Sequence, residues 1–130
     1  METGSAPKKT VLVIDDDLDI RAALRMALVA EGFVTGEAGN AEEGLRVAEQ
    51  TRPDAVIVDL MMEAVDSGAT FSRQLKDRGY GGPIYMLSSA GDSVRYNLDT
   101  REMGLAGIFQ KPVDPRSLVE TIKRRIGEKR

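Results

Sequence analysis

The sequence predicts an α/β fold in which helices cover both faces of a parallel five-stranded sheet. Three observations carry this. Val11-Leu12-Val13-Ile14 and Ala55-Val56-Ile57-Val58 are short apolar runs without polar alternation, the pattern of strands buried on both faces. Segments with helical periodicity separate these runs and the weaker strand candidates from one another. Clusters of Gly and Pro punctuate the changeovers.

The elements follow in order. After the first run, which ends at Asp15, Ile20, Ala23, Leu24, Ala27 and Leu28 share one helical face and Gly32 closes the helix. Phe33-Val34-Thr35 is a weak second strand. Asn40 followed by Glu43 reads as a cap with its reciprocal acid, opening a helix through Gln50. The third strand, Ala55 to Val58, again ends at an acid, Asp59. Met61 to Gly68 reads as a loop and Phe71 to Lys76 as a helix. Gly79, Gly81, Gly82 and Pro83 precede a fourth strand, Ile84 to Leu87, that ends at Ser88. Asp92 to Met103 is a helix of weak propensity, with Tyr96, Asn97 and Thr100 in its interior. Ala106 to Gln110 is a short fifth strand, followed by Lys111-Pro112. Asp114 caps the last helix, Pro115 occupies its first turn, and Leu118, Val119, Ile122 and Ile126 form its apolar face.

Composition narrows the chemistry. The chain has 130 residues, 42% hydrophobic and 30% charged, with a net charge of −3, which is one ordinary domain with no bulk attraction to nucleic acid or membrane. It contains no Cys and no His. Disulfides, thiolate nucleophiles and the usual general base are therefore excluded. Met1 to Thr10 lacks the apolar run of a signal peptide and no stretch could span a bilayer, so the expected location is the cytoplasm.

In open parallel sheets, sites form at the carboxyl ends of the strands near the switch in strand order. Here the first strand delivers Asp15 and Asp16, the third Asp59, the fourth Ser88 and the fifth Lys111. If the order is 2-1-3-4-5, the first and third strands are neighbours and three carboxylates share a pocket. Such a cluster calls for protonation or a cation, and Mg²⁺ is the hard ion that oxygen ligands suit. A carboxylate can act as a nucleophile toward a phosphoryl group. Ser88, one strand away at about 5 Å, could donate a hydrogen bond to a phosphoryl oxygen, and Lys111 is long enough to reach across two strand spacings of about 10 Å.

The runs VLVIDDD, AVIVDLMM, PIYMLSS and FQKP, in this order and spacing, resemble the response regulator receiver domains of two-component systems. The resemblance covers Lys9 to Ile126. It implies a flavodoxin-like (βα)5 three-layer sandwich with sheet order 2-1-3-4-5. It also implies residue roles: Asp59 as phosphoacceptor, Asp16 as direct Mg²⁺ ligand, Asp15 holding a coordinated water, and the Met61 backbone carbonyl as a further ligand. Ser88 is implied as the switch hydroxyl, with Ser89 as its competitor, and Lys111 as the cation that contacts the phosphoryl group. The Lys111-Pro112 bond is similar to one that is often cis in the family.

The expected organisation is a disordered segment over 1–8, a receiver domain over 9–127 and no output domain. The expected function is that of a stand-alone receiver taking its phosphoryl group from a sensor histidine kinase or a histidine phosphotransfer protein. It would signal by binding a downstream protein through the face of the fourth helix, fifth strand and last helix. Neither nucleic acid nor membrane is an expected partner, and homodimerisation is left open. The chain is not expected to be a conventional enzyme; it would catalyse its own Mg²⁺-dependent phosphorylation and a slow dephosphorylation.

Plainer readings stand beside these roles. Asp17 and Asp19 suit a helix start, Ser88 could be a turn residue, and Lys111 a solvated charge. Met61 and Met62 suit packing. The family pattern is also broken in places. Glu63 stands where proline is usual, Ser67 and Gly68 follow Asp66 where glycine comes sooner, and Ile108 occupies the usual aromatic position three residues before the lysine. Either Phe109 substitutes from the opposite face or the signal takes another route, and strand alternation favours the second. Met61 and Ala90 flank the site where the family tunes phosphoryl lifetime, and neither can orient water. The alternatives are a phosphate-independent interaction module on the same fold and a small carboxylate-nucleophile phosphatase, in which Asp19 would displace a required Thr or Val. A flavin site is disfavoured by the acids after the first strand.

Overall fold

The computed structural model describes residues 8–61, 67–89 and 104–127. The expected helix over Asp92 to Met103, the stretch from Met62 to Asp66, and Ala90 lie outside the described residues. The strands are β1 (Thr10–Ile14), β2 (Val34–Ala38), β3 (Ala55–Asp59), β4 (Ile84–Ser88) and β5 (Gly107–Gln110). They pair in parallel in the order β2-β1-β3-β4-β5. The helices are α1 (Leu18–Ala30), α2 (Ala41–Thr51), α3 (Ser67–Asp77) and α4 (Pro115–Ile122), which runs into a wider π turn, Lys123–Gly127. None is long and apolar enough to cross a membrane.

Alternation along the buried strands makes two cores. Val11, Val13, Ile57, Tyr85 and Leu87 meet Leu24 and Leu28 of α1 and Leu118, Val119 and Ile122 of α4. Leu12, Ile14, Val56, Val58, Ile84 and Met86 meet Ala48 of α2 and Phe71 and Leu75 of α3 on the other side. This is the expected three-layer sandwich. Gly44 lets α2 approach closely: a Cβ there would stand 2.8 Å from Ile14 Cδ1 and 3.0 Å from Phe71 Cε1.

The caps follow the sequence. Asp17 accepts from the Asp19 and Ile20 amides and so starts α1. Asn40 Oδ1 accepts from Glu43 N at 2.8 Å, and Glu43 Oε1 reaches back to Gly39 N at 3.0 Å. Asn40→Ala should cost about 1 kcal/mol, read as a lower urea midpoint with unchanged slope. Asp114 caps α4 ahead of Pro115, and the Lys111-Pro112 peptide is cis.

Two elements differ from expectation by more than a residue at one end. β2 spans Val34 to Ala38, one residue later at its start and three longer at its end than Phe33 to Thr35. Gly36 and Glu37 lack a strand signature, and pairing with β1 supplies the reason they are extended. α3 begins at Ser67 rather than Phe71. Ser67-Gly68-Ala69-Thr70 has modest intrinsic preference, and burial of Phe71 and Leu75 stabilises the turn that precedes them.

On β5 the two candidates for the aromatic position face opposite ways. Ile108 packs with the α2/α3 core, whereas Phe109 packs with the α1/α4 core, its ring 6.1 Å from that of Tyr85. Phe109 therefore does not fill the place that Ile108 occupies.

Candidate functional site

Register brings the acids together. Ile14 is level with Val58, so the residues that follow, Asp15 and Asp59, leave adjacent strands at the same height. Carboxylate oxygens of Asp15, Asp16 and Asp59 lie within 4.8 Å of one another. Asp15 is fully buried, Asp59 is 4% exposed and Asp16 faces solvent. Asp15 N donates to Ala38 O at 3.1 Å and Asp15 Oδ1 accepts from Asp17 N at 2.9 Å, which holds the turn out of β1. Asp17 and Asp19 serve α1 as cap and first-turn acid and stand outside the cluster.

Lys111 spans from beyond β5 to the far side of the cluster. Its Nζ is 3.2 Å from Asp59 Oδ1 and 3.4 Å from Asp15 Oδ2. Its backbone N donates to Ser88 O at 2.6 Å, so the backbones of the lysine and the strand-end serine are tied directly. Ser88 is buried at the end of β4, level with Gln110 and one residue past Leu87, the neighbour of Asp59. Ser89 is exposed just beyond the strand. Met61 is half-buried and its N–H points at Asp59 Oδ1 across a long 3.4 Å.

Burial dominates the electrostatics. It raises the Asp59 carboxyl to about 6; the Asp15 charge adds to the rise and Lys111 opposes it. Burial also raises Asp15, against the Asp17 backbone hydrogen bond and Lys111. Burial alone would lower the Lys111 ammonium, but Asp15 and Asp59 outweigh it and the net direction is upward. One lysine thus leaves the two buried acids under-compensated.

The donor set suits a hard divalent cation. It consists of carboxylate oxygens from three residues, and Asp15 Oδ2 is buried with no hydrogen-bond partner among the described residues, its contact with Lys111 being a loose ion pair. An oxygen-seeking ion would satisfy that atom and favour the ionised form of both carboxyls against the burial that raises them.

Residues 11–123 match the family model for the response regulator receiver domain. The chain belongs to the response regulator receiver family. The receiver is 37% identical to the transcriptional regulatory protein PrrA of Mycobacterium leprae over 126 residues, 95% of this chain and 51% of that protein. It is 33% identical to the DNA-binding response regulator MtrA of Mycobacterium tuberculosis over 119 residues, 92% of this chain and 51% of that protein. The chain spans about half the length of these curated relatives. Among solved structures, a CheY-like receiver domain protein of Methanospirillum hungatei matches with a TM-score of 0.83 and 25% identity, covering 93% of this chain and 95% of that one. Chemotaxis response regulator CheY4 of Vibrio cholerae matches at 0.79 and 26%, covering 92% of this chain and 100% of that one.

The receiver fold thus gathers Asp15, Asp16, Asp59 and Lys111 at one end of the sheet, with Ser88 at the neighbouring strand end. Sequence reasoning missed Arg21, whose Nη1 donates to Asp15 O at 3.2 Å. Its only trace in the sequence is a basic residue one turn into a helix that follows an acidic run.

Proposed function

We propose that this receiver accepts a phosphoryl group on Asp59 in an Mg²⁺-dependent reaction. The observation that carries the reading is Lys111 Nζ held between Asp15 and Asp59 in a cluster of three carboxylates. An Asp59 oxygen attacks phosphorus of a partner's phosphohistidine, the phosphorus–nitrogen bond breaks, and the imidazole leaves with that electron pair and takes up a proton. The product is an aspartyl phosphate. Asp15, Asp16, Asp59 and the Met61 carbonyl are the residues that would hold the ion. Bound Mg²⁺ would offset the negative charge on the phosphoryl oxygens. Lys111 offers a second cation to those oxygens. Ser88 is the proposed hydroxyl that closes on the phosphoryl group and links it to β4 and β5.

In this reading the phosphodonor is a histidine kinase or a histidine phosphotransfer protein, the setting is cytoplasmic, and the readout is phosphorylation-dependent binding of another protein. The test is incubation with acetyl phosphate and Mg²⁺ followed by intact mass. One phosphoryl group should be gained, and none when a chelator replaces Mg²⁺; uptake that ignores the chelator would refute the mechanism.

The phosphoryl group should persist. Met61 packs against the α2/α3 core, and its thioether, no donor and only a weak acceptor, is a poor group for orienting an attacking water. After removal of donor, decay of the phosphorylated mass should take many minutes, and decay within seconds would contradict the assignment.

A further inference from the structure

We propose that Arg21 is a positioning residue for the cation subsite: by holding the carbonyl between Asp15 and Asp16, it sets the directions in which both carboxylates leave the chain. This rests on the Mg²⁺ reading above. The carbonyl of Asp15 belongs to the peptide that joins the two acids. That unit is planar and rigid, so pinning its oxygen constrains the Cα atoms on both sides. Arg21 Nη1 donates to this oxygen at 3.2 Å. On the other side, Asp15 N is tied to Ala38 O. The link between β1 and α1 is thus gripped at both ends of the Asp15 backbone.

The guanidinium is itself held. Its Nε lies 3.3 Å from Glu37 Oε1 as an ion pair without a hydrogen bond, and Glu37 Oε2 accepts from Arg25 Nη1 at 2.7 Å. Gly39 leaves room for it: a Cβ there would stand 2.9 Å from Arg21 Nη1 and meet nothing else within 4 Å. Arg21 is 18% exposed at the side chain, against 44% for Arg25. Three elements, α1, β2 and the β2–α2 connection, therefore cooperate to aim one N–H at one carbonyl. A positive charge near a cation site would by itself repel the cation, so the benefit must come from geometry, and the two effects have opposite signs.

The experiment measures Mn²⁺ binding by the loss of the free-ion electron paramagnetic resonance signal, and phosphorylation rate against Mg²⁺ concentration. Wild type comes first: absence of saturable binding there would overturn the Mg²⁺ reading itself. Given binding, Arg21→Met should weaken the ion about tenfold, as loss of a supporting contact behind a metal ligand does, while the phosphorylation rate at saturating Mg²⁺ is retained. Gly39→Ala keeps every charge and displaces the guanidinium, and should weaken the ion in the same direction even if Arg21→Met fails to fold. Arg25→Met, which leaves the Arg21 hydrogen bond to Asp15 O in place, should weaken the ion less than Arg21→Met does. Arg21→Lys, which keeps the charge with one flexible donor, should recover part of the loss. Unchanged or tighter binding in a folded Arg21→Met or Gly39→Ala variant, or a maximal rate that falls in step with affinity, would overturn the assignment.

Discussion

Asp59→Asn should abolish phosphoryl uptake and at the same time stabilise the cation-free protein. The first effect follows from removing the proposed nucleophile, since an amide oxygen carries no charge to attack phosphorus; intact mass after treatment with acetyl phosphate and Mg²⁺ should stay unmodified. The second follows from burial. The folded state raises the Asp59 carboxyl from 3.8 to about 6, so the folded protein binds the proton more tightly than the unfolded chain. Below about pH 4 the group is protonated in both states and carries no penalty. As pH rises through about 6 the folded state must hold an ionised, buried carboxylate, and stability is lost, by about 3 kcal/mol once ionisation is complete. Asparagine never incurs this penalty. In chelator, urea unfolding at about pH 8 should show the variant more stable by about that amount, with the gap closing toward pH 4. A variant no more stable than wild type at the higher pH would contradict the electrostatic account. Saturating Mg²⁺ should narrow the gap as well, because the proposed ion would bind the folded wild-type site more tightly than the variant's, which lacks one carboxylate.

Lys111→Met should slow phosphoryl uptake by at least about a hundredfold at saturating Mg²⁺, the scale set by losing one preorganised charge beside a reacting group. Lys111 Nζ lies within 3.4 Å of both buried acids, and no other cation among the described residues forms an ion pair with either. Its removal pushes both carboxyls further upward. It also removes a competitor for the carboxylates, so divalent-cation affinity should hold or increase while the rate collapses. That divergence separates Lys111 from a ligand-holding residue, for which affinity and rate at low Mg²⁺ would fall together. Mn²⁺ binding and a phosphorylation time course on the same preparation check both halves, and a rate close to wild type would remove Lys111 from the mechanism.

Lys111 also shows how far sequence reading reaches. Its place after β5 was legible from the lysine-proline step behind a short strand, and the need for a long cation followed from strand spacing. Asp15, Asp16 and Asp59 were legible because strands buried on both faces are apolar, so an acid at such a strand's end stands out. The caps at Asp17, Asn40 and Asp114 were equally visible, being local hydrogen bonds among neighbours in the chain. β2 was legible only as a weak strand, and its extension through Ala38 was not: its partner, β1, lies more than twenty residues away and imposes extension on Gly36 and Glu37. Arg21 was invisible for a related reason. Its partners, Asp15 O, Glu37 and Gly39, come from the link after β1, from β2 and from the connection after it, and nothing in the local pattern of α1 distinguishes it from Arg25.

Residue order alone carries the alternation of strands and helices, the identity of the acids and the lysine, and the family to which the chain belongs. These depend on periodicity and residue type, which are properties of neighbours along the chain. The tertiary structure decided which oxygen faces which cation, how strongly burial raises Asp59, and what holds the peptide between Asp15 and Asp16. Those depend on strand register and on the exclusion of water, and both arise only when distant segments pack against one another.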